Sequence, residues 1–336
     1  MKALPVRADV TPAIFREEIR PAARPVVMKG LAADWPLVAA AREGNEAAIG
    51  YLKAQAGPAP VPHVRGAAEL EGRLHLDGAV RGPNFARDAA PLGAFLDVLL
   101  AASGEERPDT LAVQGLTAPD HLAGFAETHR LSILPPAIVP RLWIGNAAKV
   151  ATHHDPLENV ACVAVGRRRF TLFPPEQIGN LYMGPLHITP AGTAISMVHV
   201  TAPDLTRYPR FTEALEAAET AELEPGDAIY IPYHWYHHVE ALDRINVLVN
   251  FWWDAARADI GSPWDALMHG IMTLRNLPPD QRRAWRAMFD HYVFMGEGDP
   301  GAHLPPASRG ILAADRPQDV AEMRRQIIAR LRGGVR

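Results

Sequence analysis

Two short segments of this sequence carry side chains able to hold a catalytic metal. His153-His154-Asp155 sets imidazole and carboxylate side by side, and Tyr233-His234-Trp235-Tyr236-His237-His238 supplies further imidazoles. The first segment reads as part of a β-strand, Val150–Asp155. Side chains alternate faces along a strand, so His153 and Asp155 share a face and His154 points away. A third ligand has to come from the second segment, where periodicity leaves His234, His237 and His238 all open. Two imidazoles and one carboxylate on one side of an ion leave positions free opposite them. That facial set suits non-haem Fe(II) that accepts a co-substrate and O₂.

A scaffold must bring these distant segments together. From about residue 136 to 254, short β-like runs succeed one another: Arg141–Asn146, Val150–Asp155, Asn159–Val165, Arg168–Phe173, Ala194–Val200, Ala228–Ile231, Tyr236–Ala241 and Ile245–Trp253. Gly166, Pro174-Pro175 and Pro225-Gly226-Asp227 punctuate them as turns. Such a series argues for a sandwich or barrel. Residues 1–135 mix helix and strand, with Thr11 as an N-cap, a strand at Pro25–Met28, a helix over Pro91–Ala102 and a strand at Thr110–Val113. Residues 255–336 turn helical over Trp264–Leu274, Pro279–Val293 and Gln318–Leu331. The expected organisation is therefore N-terminal α/β elements over 1–135, a barrel core over 136–254 and a helical region over 255–336.

Composition bounds the function. The chain has 336 residues, 48% hydrophobic and 21% charged, enough for one large core with a helical appendage. Its net charge is −4 with both signs mixed, which gives no electrostatic reason to expect nucleic acid as a partner. The runs Arg167–Arg169 and Arg324–Arg336 are short, and the second reads as a solvated helix end. The lone thiol, Cys162, lies in the apolar run Val160–Val165 and reads as a small buried side chain rather than a nucleophile. Met1–Ile19 is charged, and no window approaches the ~20 apolar residues of a membrane span. The expectation is a cytoplasmic protein with no membrane partner.

The residues around the metal set carry a resemblance. Leu142-Trp143-Ile144-Gly145-Asn146, Thr152-His153-His154-Asp155, Asn159, Gly166–Pro175, Leu181-Tyr182, Pro225-Gly226-Asp227, Tyr230-Ile231-Pro232, Trp235–Glu240 and Val249-Asn250-Phe251-Trp252 form one pattern. Upstream, Arg24–Val27, Gly30-Leu31 and Asp34-Trp35-Pro36 belong to the same pattern. It resembles the JmjC and cupin-like family of Fe(II)/2-oxoglutarate oxygenases, particularly the branch containing the asparaginyl hydroxylase of hypoxia-inducible factor. The resemblance implies a mainly β fold with flanking helices: a double-stranded β-helix (jelly-roll) barrel plus a C-terminal helical segment. It also assigns the third ligand to His237, completing His153, Asp155 and His237.

The implied activity is hydroxylation of a substrate C–H bond, with 2-oxoglutarate converted to succinate and CO₂. The far carboxylate of 2-oxoglutarate needs a cation inside the barrel. Arg168 alternates with Phe170 and Leu172 on the apolar face of its strand, and a guanidinium binds carboxylate bidentately. Arg168 stands where the asparaginyl hydroxylase branch has a Lys. Asn159 and Asn250 match polar positions near co-substrate and iron, and Gln114 matches a substrate-facing one. Ala112 and Val150 stand where relatives use a Tyr and a Thr on the distal carboxylate, so another hydroxyl, Thr171 or Tyr230, is expected to substitute. Those departures keep two alternatives open: a metal-binding cupin enzyme that does not use 2-oxoglutarate, and a non-catalytic ligand-binding barrel. The implied partners are a protein side chain or a small molecule as substrate, and a second copy of the chain through the C-terminal helices. Trp252-Trp253 and Trp235-Tyr236 read as packing, and His187, His199, His234 and His238 as structural or surface residues.

Overall fold

The computed structural model describes residues 1–190, 192–313 and 316–332. Fifteen strands run in chain order: β1 (Lys2–Ala3), β2 (Val6–Arg7), β3 (Val26–Met28), β4 (Pro60–Gly66), β5 (Arg73–Leu74), β6 (Ala86–Pro91), β7 (Thr110–Thr117), β8 (Pro140–Gly145), β9 (Lys149–His153), β10 (Glu158–Val165), β11 (Arg168–Phe173), β12 (Glu219–Leu223), β13 (Ala228–Ile231), β14 (Tyr236–Ala241) and β15 (Asn246–Trp253). They form a six-stranded sheet, β1-β12-β11-β14-β9-β5, and a nine-stranded sheet, β2-β3-β13-β10-β15-β8-β7-β4-β6. The fold is mainly β with flanking helices, a jelly roll. Consecutive strands β8 to β11 alternate between the two sheets, so the ends of both sheets converge on one interior.

Two layers of core hold this arrangement. Between the sheets lie Val163, Phe170, Leu172, Ile229, Val239 and Leu248. Outside the large sheet, helices Pro36–Glu43, Asn45–Gln55 and Leu92–Ala102 bury Leu37, Leu52, Leu92 and Leu99 against Val160, Cys162 and Val249. Strand β10 is therefore buried on both faces, which explains its unbroken apolar run. Cys162 sits fully buried there, and burial pushes its thiol pKa up, away from nucleophilic chemistry. Each such fully buried aliphatic or aromatic side chain contributes roughly 1.5–3 kcal/mol.

Strand spacing depends on a few special residues. A Cβ at Gly145 would sit on the Leu111 carbonyl, so β7 and β8 approach this closely only with glycine there. Asn146 follows and is buried. Its Oδ1 accepts from Leu111 N–H at 2.9 Å, and its Nδ2 donates to the Asp109 carbonyl at 2.7 Å. Thr11 caps its short helix by accepting from Ile14 N–H, as expected.

The structure departs from the sequence reading in three places. Ala194–Val200 forms no strand; only an isolated bridge links Met183 and Ser196. The Ser196 hydroxyl donates to the Leu181 carbonyl and accepts from Val198 N–H, which bends the segment locally in place of a ladder. Strand β9 ends at His153, so Asp155 lies in the loop beyond it. Residues 1–135 supply seven strands, to both sheets.

The chain divides into two compact units, Met1–Asp254 and Ala255–Arg336. The second contains helices Pro263–Leu274, Pro279–Tyr292 and Pro317–Arg332. Ser262 caps the first by accepting from Trp264 N–H. Arg324, Arg325, Arg330 and Arg332 are exposed, and the end of the expected basic run, 333–336, lies outside the described residues. No described helix is long and apolar enough to cross a membrane.

Candidate metal centre and co-substrate cavity

Strands β9 and β14 pair antiparallel with His153 directly opposite His237. This register brings the two rings together, with centroids 4.3 Å apart. The chain leaving β9 then turns the Asp155 carboxylate toward both. Its oxygens lie 3.9 Å from His153 Nε2 and 3.7 Å from His237 Nε2. One ligand atom from each of the three residues falls within 4.8 Å of the others, the one such cluster found among the described residues.

The imidazoles are oriented from behind. His153 Nδ1 lies 2.9 Å from the Ala151 carbonyl, and His237 Nδ1 lies 3.0 Å from the Trp235 carbonyl. A carbonyl only accepts, so each Nδ1 carries a hydrogen, which turns each Nε2 toward the side where Asp155 lies. Burial, with His153 nearby, lowers the His237 pKa to about 4 and keeps that ring neutral. Donor type, tautomer and convergence all fit a divalent transition metal held by two imidazoles and a carboxylate. His154 turns the other way, against His234 and Tyr236. Burial lowers its pKa to about 4, with His234 adding to the effect.

A cavity of about 40 Å³ opens beside the cluster, lined by His153, Asp155, His237, Asn159, Arg168 and Asn250 among others. Arg168 is 7% exposed; among the described residues it faces no carboxylate and donates one bond, from Nη2 to the Trp143 carbonyl at 3.3 Å. Its Nε has no partner, and burial lowers its pKa to about 10. Asn250 Nδ2 donates to Asn159 Oδ1 at 3.0 Å, leaving Asn250 Oδ1 unpartnered. Trp143 and Trp252 also line the cavity, and each has an unpartnered buried indole N–H. Unpartnered buried donors around a buried cation are costly unless an acceptor-rich ligand completes them.

The sequence-based positions divide as follows. Strand parity put Arg168, Phe170 and Leu172 on one face; Arg168 and Phe170 line the cavity, and Leu172 joins the inter-sheet core. Val150 lines the cavity without a hydroxyl, whereas Ala112 packs elsewhere with Val64, Leu74 and Phe85. Neither expected substitute reaches the cavity. The Tyr230 hydroxyl donates to Glu158 at 2.7 Å, and Thr171 lies on the opposite face of β11 from Arg168 and Phe170. Gln114 lines a separate groove that shares Trp143 and Trp252 with the cavity. His238 is buried on the outer face of β14, near His75 and His199. The sequence suggests packing for Trp252, whereas Leu248, Asn250 and Trp252 alternate onto one face of β15 and all line the cavity. Extending the parity of Asn250 by two residues would have found it.

A family model described as a cupin-like domain matches residues 12–259. Lysine-specific demethylase JMJ31 from Arabidopsis thaliana is 38% identical over 114 residues, 34% of this chain and 20% of that protein. HSPB1-associated protein 1 from Homo sapiens is 34% identical over 153 residues, 43% of this chain and 30% of that protein. Lysine-specific demethylase 8 from Xenopus tropicalis is 26% identical over 248 residues, 71% of this chain and 50% of that protein. The chain thus spans between a fifth and a half of the length of these curated relatives.

Proposed function

Because the chain belongs to the cupin-like domain family, we propose that it is an Fe(II)- and 2-oxoglutarate-dependent oxygenase that hydroxylates a substrate C–H bond. The observation that carries this reading is the facial set His153, Asp155 and His237, with both imidazoles held by backbone carbonyls so that Nε2 faces Asp155. Bound Fe(II) supplies the redox chemistry: 2-oxoglutarate, O₂ and a C–H bond become succinate, CO₂ and a C–OH group. The protein's own part is to hold, orient and exclude water. Asp155 supplies negative charge, and His153 and His237 supply neutral donors. Arg168 takes the distal carboxylate of the co-substrate. The indole N–H groups of Trp143 and Trp252 and the amides of Asn159 and Asn250 orient its remaining oxygens, while Gln114 faces the substrate.

Two of the relatives are named lysine-specific demethylases, which supports a protein side chain as substrate. Exposed apolar residues on the C-terminal helices, Trp264, Met268, Met272, Trp285 and Met288, support a homodimer formed through them. Sedimentation of the protein truncated after Asp254 tests that point. A buried lone thiol and the mixed surface charge support a cytoplasmic location.

The direct test is succinate formation from 2-oxoglutarate by Fe(II)-loaded protein, with Asp155→Ala as comparison. The wild type should form succinate and the variant should lose both turnover and Fe(II) binding. A wild type that binds Fe(II) but neither binds nor consumes 2-oxoglutarate would support the second reading, a metal-dependent cupin enzyme of another reaction class. Val150 in place of a hydroxyl and the narrow cavity favour that alternative.

A further inference from the structure

An open groove adjoins the cavity beside the metal cluster. Trp143 and Trp252, packed edge to face at 5.9 Å, line both. The groove holds about 400 Å³, and Gln114, Arg141, Arg87 and His63 are its polar side chains. Among the described residues, no carboxylate lines it. In a chain of net charge −4, a surface beside the candidate reaction centre carrying only cationic or cationisable charge is unlike the surface average.

The two arginines are held in place without being neutralised. Arg141 donates to the Thr117 hydroxyl at 3.1 Å and lies over the Trp252 ring at 5.8 Å. Arg87 donates to the Pro190 carbonyl at 2.6 Å. Among the described residues, neither forms an ion pair, whereas Arg65, Arg167 and Arg169 on the same unit each face a carboxylate. Each guanidinium has five N–H donors in a fixed fork, so both keep donors for an anion.

Their spacing selects the kind of anion. In register, Arg87 on β6 opposes Val64 on β4, Val64 opposes Ala112 on β7, and Ala112 opposes Gly145 on β8. Three strand spacings and the run from Gly145 back to Arg141 separate the two backbones by roughly 15–20 Å. An occupant lying along the groove from β6 to β8 spans that backbone separation, and about five residues of extended polypeptide do so. We propose that the groove binds an acidic stretch of polypeptide, with carboxylates on Arg87 and Arg141 holding the intervening residue over Trp252 at the mouth of the cavity. This rests on the oxygenase reading above for what happens to that residue, and adds the chemical class of the substrate.

The test is binding rather than turnover. Fluorescence anisotropy of labelled (Glu-Ala)₅ and (Lys-Ala)₅ peptides is measured on the metal-free full chain across a salt series. The acidic probe should bind and weaken with salt. Arg87→Glu with Arg141→Glu should lose at least about tenfold in affinity, the change expected of charge-assisted contacts. Arg87→Lys with Arg141→Lys should stay closer to wild type, and the remote Arg42→Glu should match it. Equal binding of the basic probe, no effect of the charge reversal, or displacement of the acidic peptide by glutarate or oligouridylate at equal charge would overturn the proposal. Succinate assays on the same samples keep the two readings apart. Acidic-probe binding without succinate removes the oxygenase reading alone, and succinate formation with no peptide preference removes the groove proposal alone.

Discussion

Replacing Arg168 by Met should make the ligand-free protein more stable while removing its response to 2-oxoglutarate. Arg168 is buried at 7% exposure and, among the described residues, has one hydrogen bond and no carboxylate partner. Burial lowers its pKa from 12.5 to about 10, which at roughly 1.4 kcal/mol per tenfold amounts to about 3 kcal/mol against folding. Met keeps most of the apolar stem that packs near Phe170 and Leu248. The substitution orphans the Trp143 carbonyl, at a cost of about 1 kcal/mol. The net gain is about 2 kcal/mol, or roughly 4–8 °C in Tm for a domain of this size. Thermal unfolding of both proteins, with and without 2-oxoglutarate in Mn(II), measures it. Wild type should rise with 2-oxoglutarate; Arg168→Met should start higher and stay there. A less stable variant in the absence of ligand would refute the claim that Arg168 is an uncompensated charge. A variant that still responds to 2-oxoglutarate would refute its role as the carboxylate's partner.

Asn146→Ala removes both side-chain bonds that fix the start of β7, leaving Leu111 N–H buried without its partner and the part-buried Asp109 carbonyl without its donor. The expected loss is about 2–3 kcal/mol, read from the urea midpoint. Gly145→Ala next to it drives a methyl group into the Leu111 carbonyl, so a comparable or larger loss is expected by the same measurement. Stability should also fall on mild acidification. His129 is fully buried, accepts from Leu37 N–H through Nε2 and donates through Nδ1 to the Phe125 carbonyl. Burial lowers its pKa from 6.5 to about 4. Because the unfolded chain takes the proton first, its stabilising contribution is present above pH 6.5 and is lost between 6.5 and about 4. From pH 7 to 5 the loss is about 2 kcal/mol from this residue. His129→Gln should flatten that part of the profile in metal-free protein, and an unchanged slope would show that other histidines carry it.

What was legible in the sequence follows from where symmetry is broken. On β11 the inward face is marked because Arg169 is exposed, so alternation identifies Arg168 and Phe170 as inward-facing. On β14 every residue is buried. A strand covered on both faces offers no solvent side to set its phase, so alternation cannot choose between His237 and His238. Only the surrounding pattern of residues separated them. Asp155 is a different case. It approaches His153 and His237 from a loop, so the shared-face argument paired His153 with Asp155 through an element that stops two residues short of the carboxylate. Contacts between distant segments left no local trace at all. Glu158 is buried by Arg20, at 3.1 Å, and by Tyr230, at 2.7 Å, yet Arg20 lies 138 positions away in sequence. Hydrogen bonding to Glu158 raises the Arg20 pKa, a coupling no window of sequence contains. The Tyr230 hydroxyl was therefore available by type but already engaged by geometry. That leaves Arg168 as the cation lining the cavity beside the cluster, and makes its charge the feature on which the 2-oxoglutarate reading stands or falls.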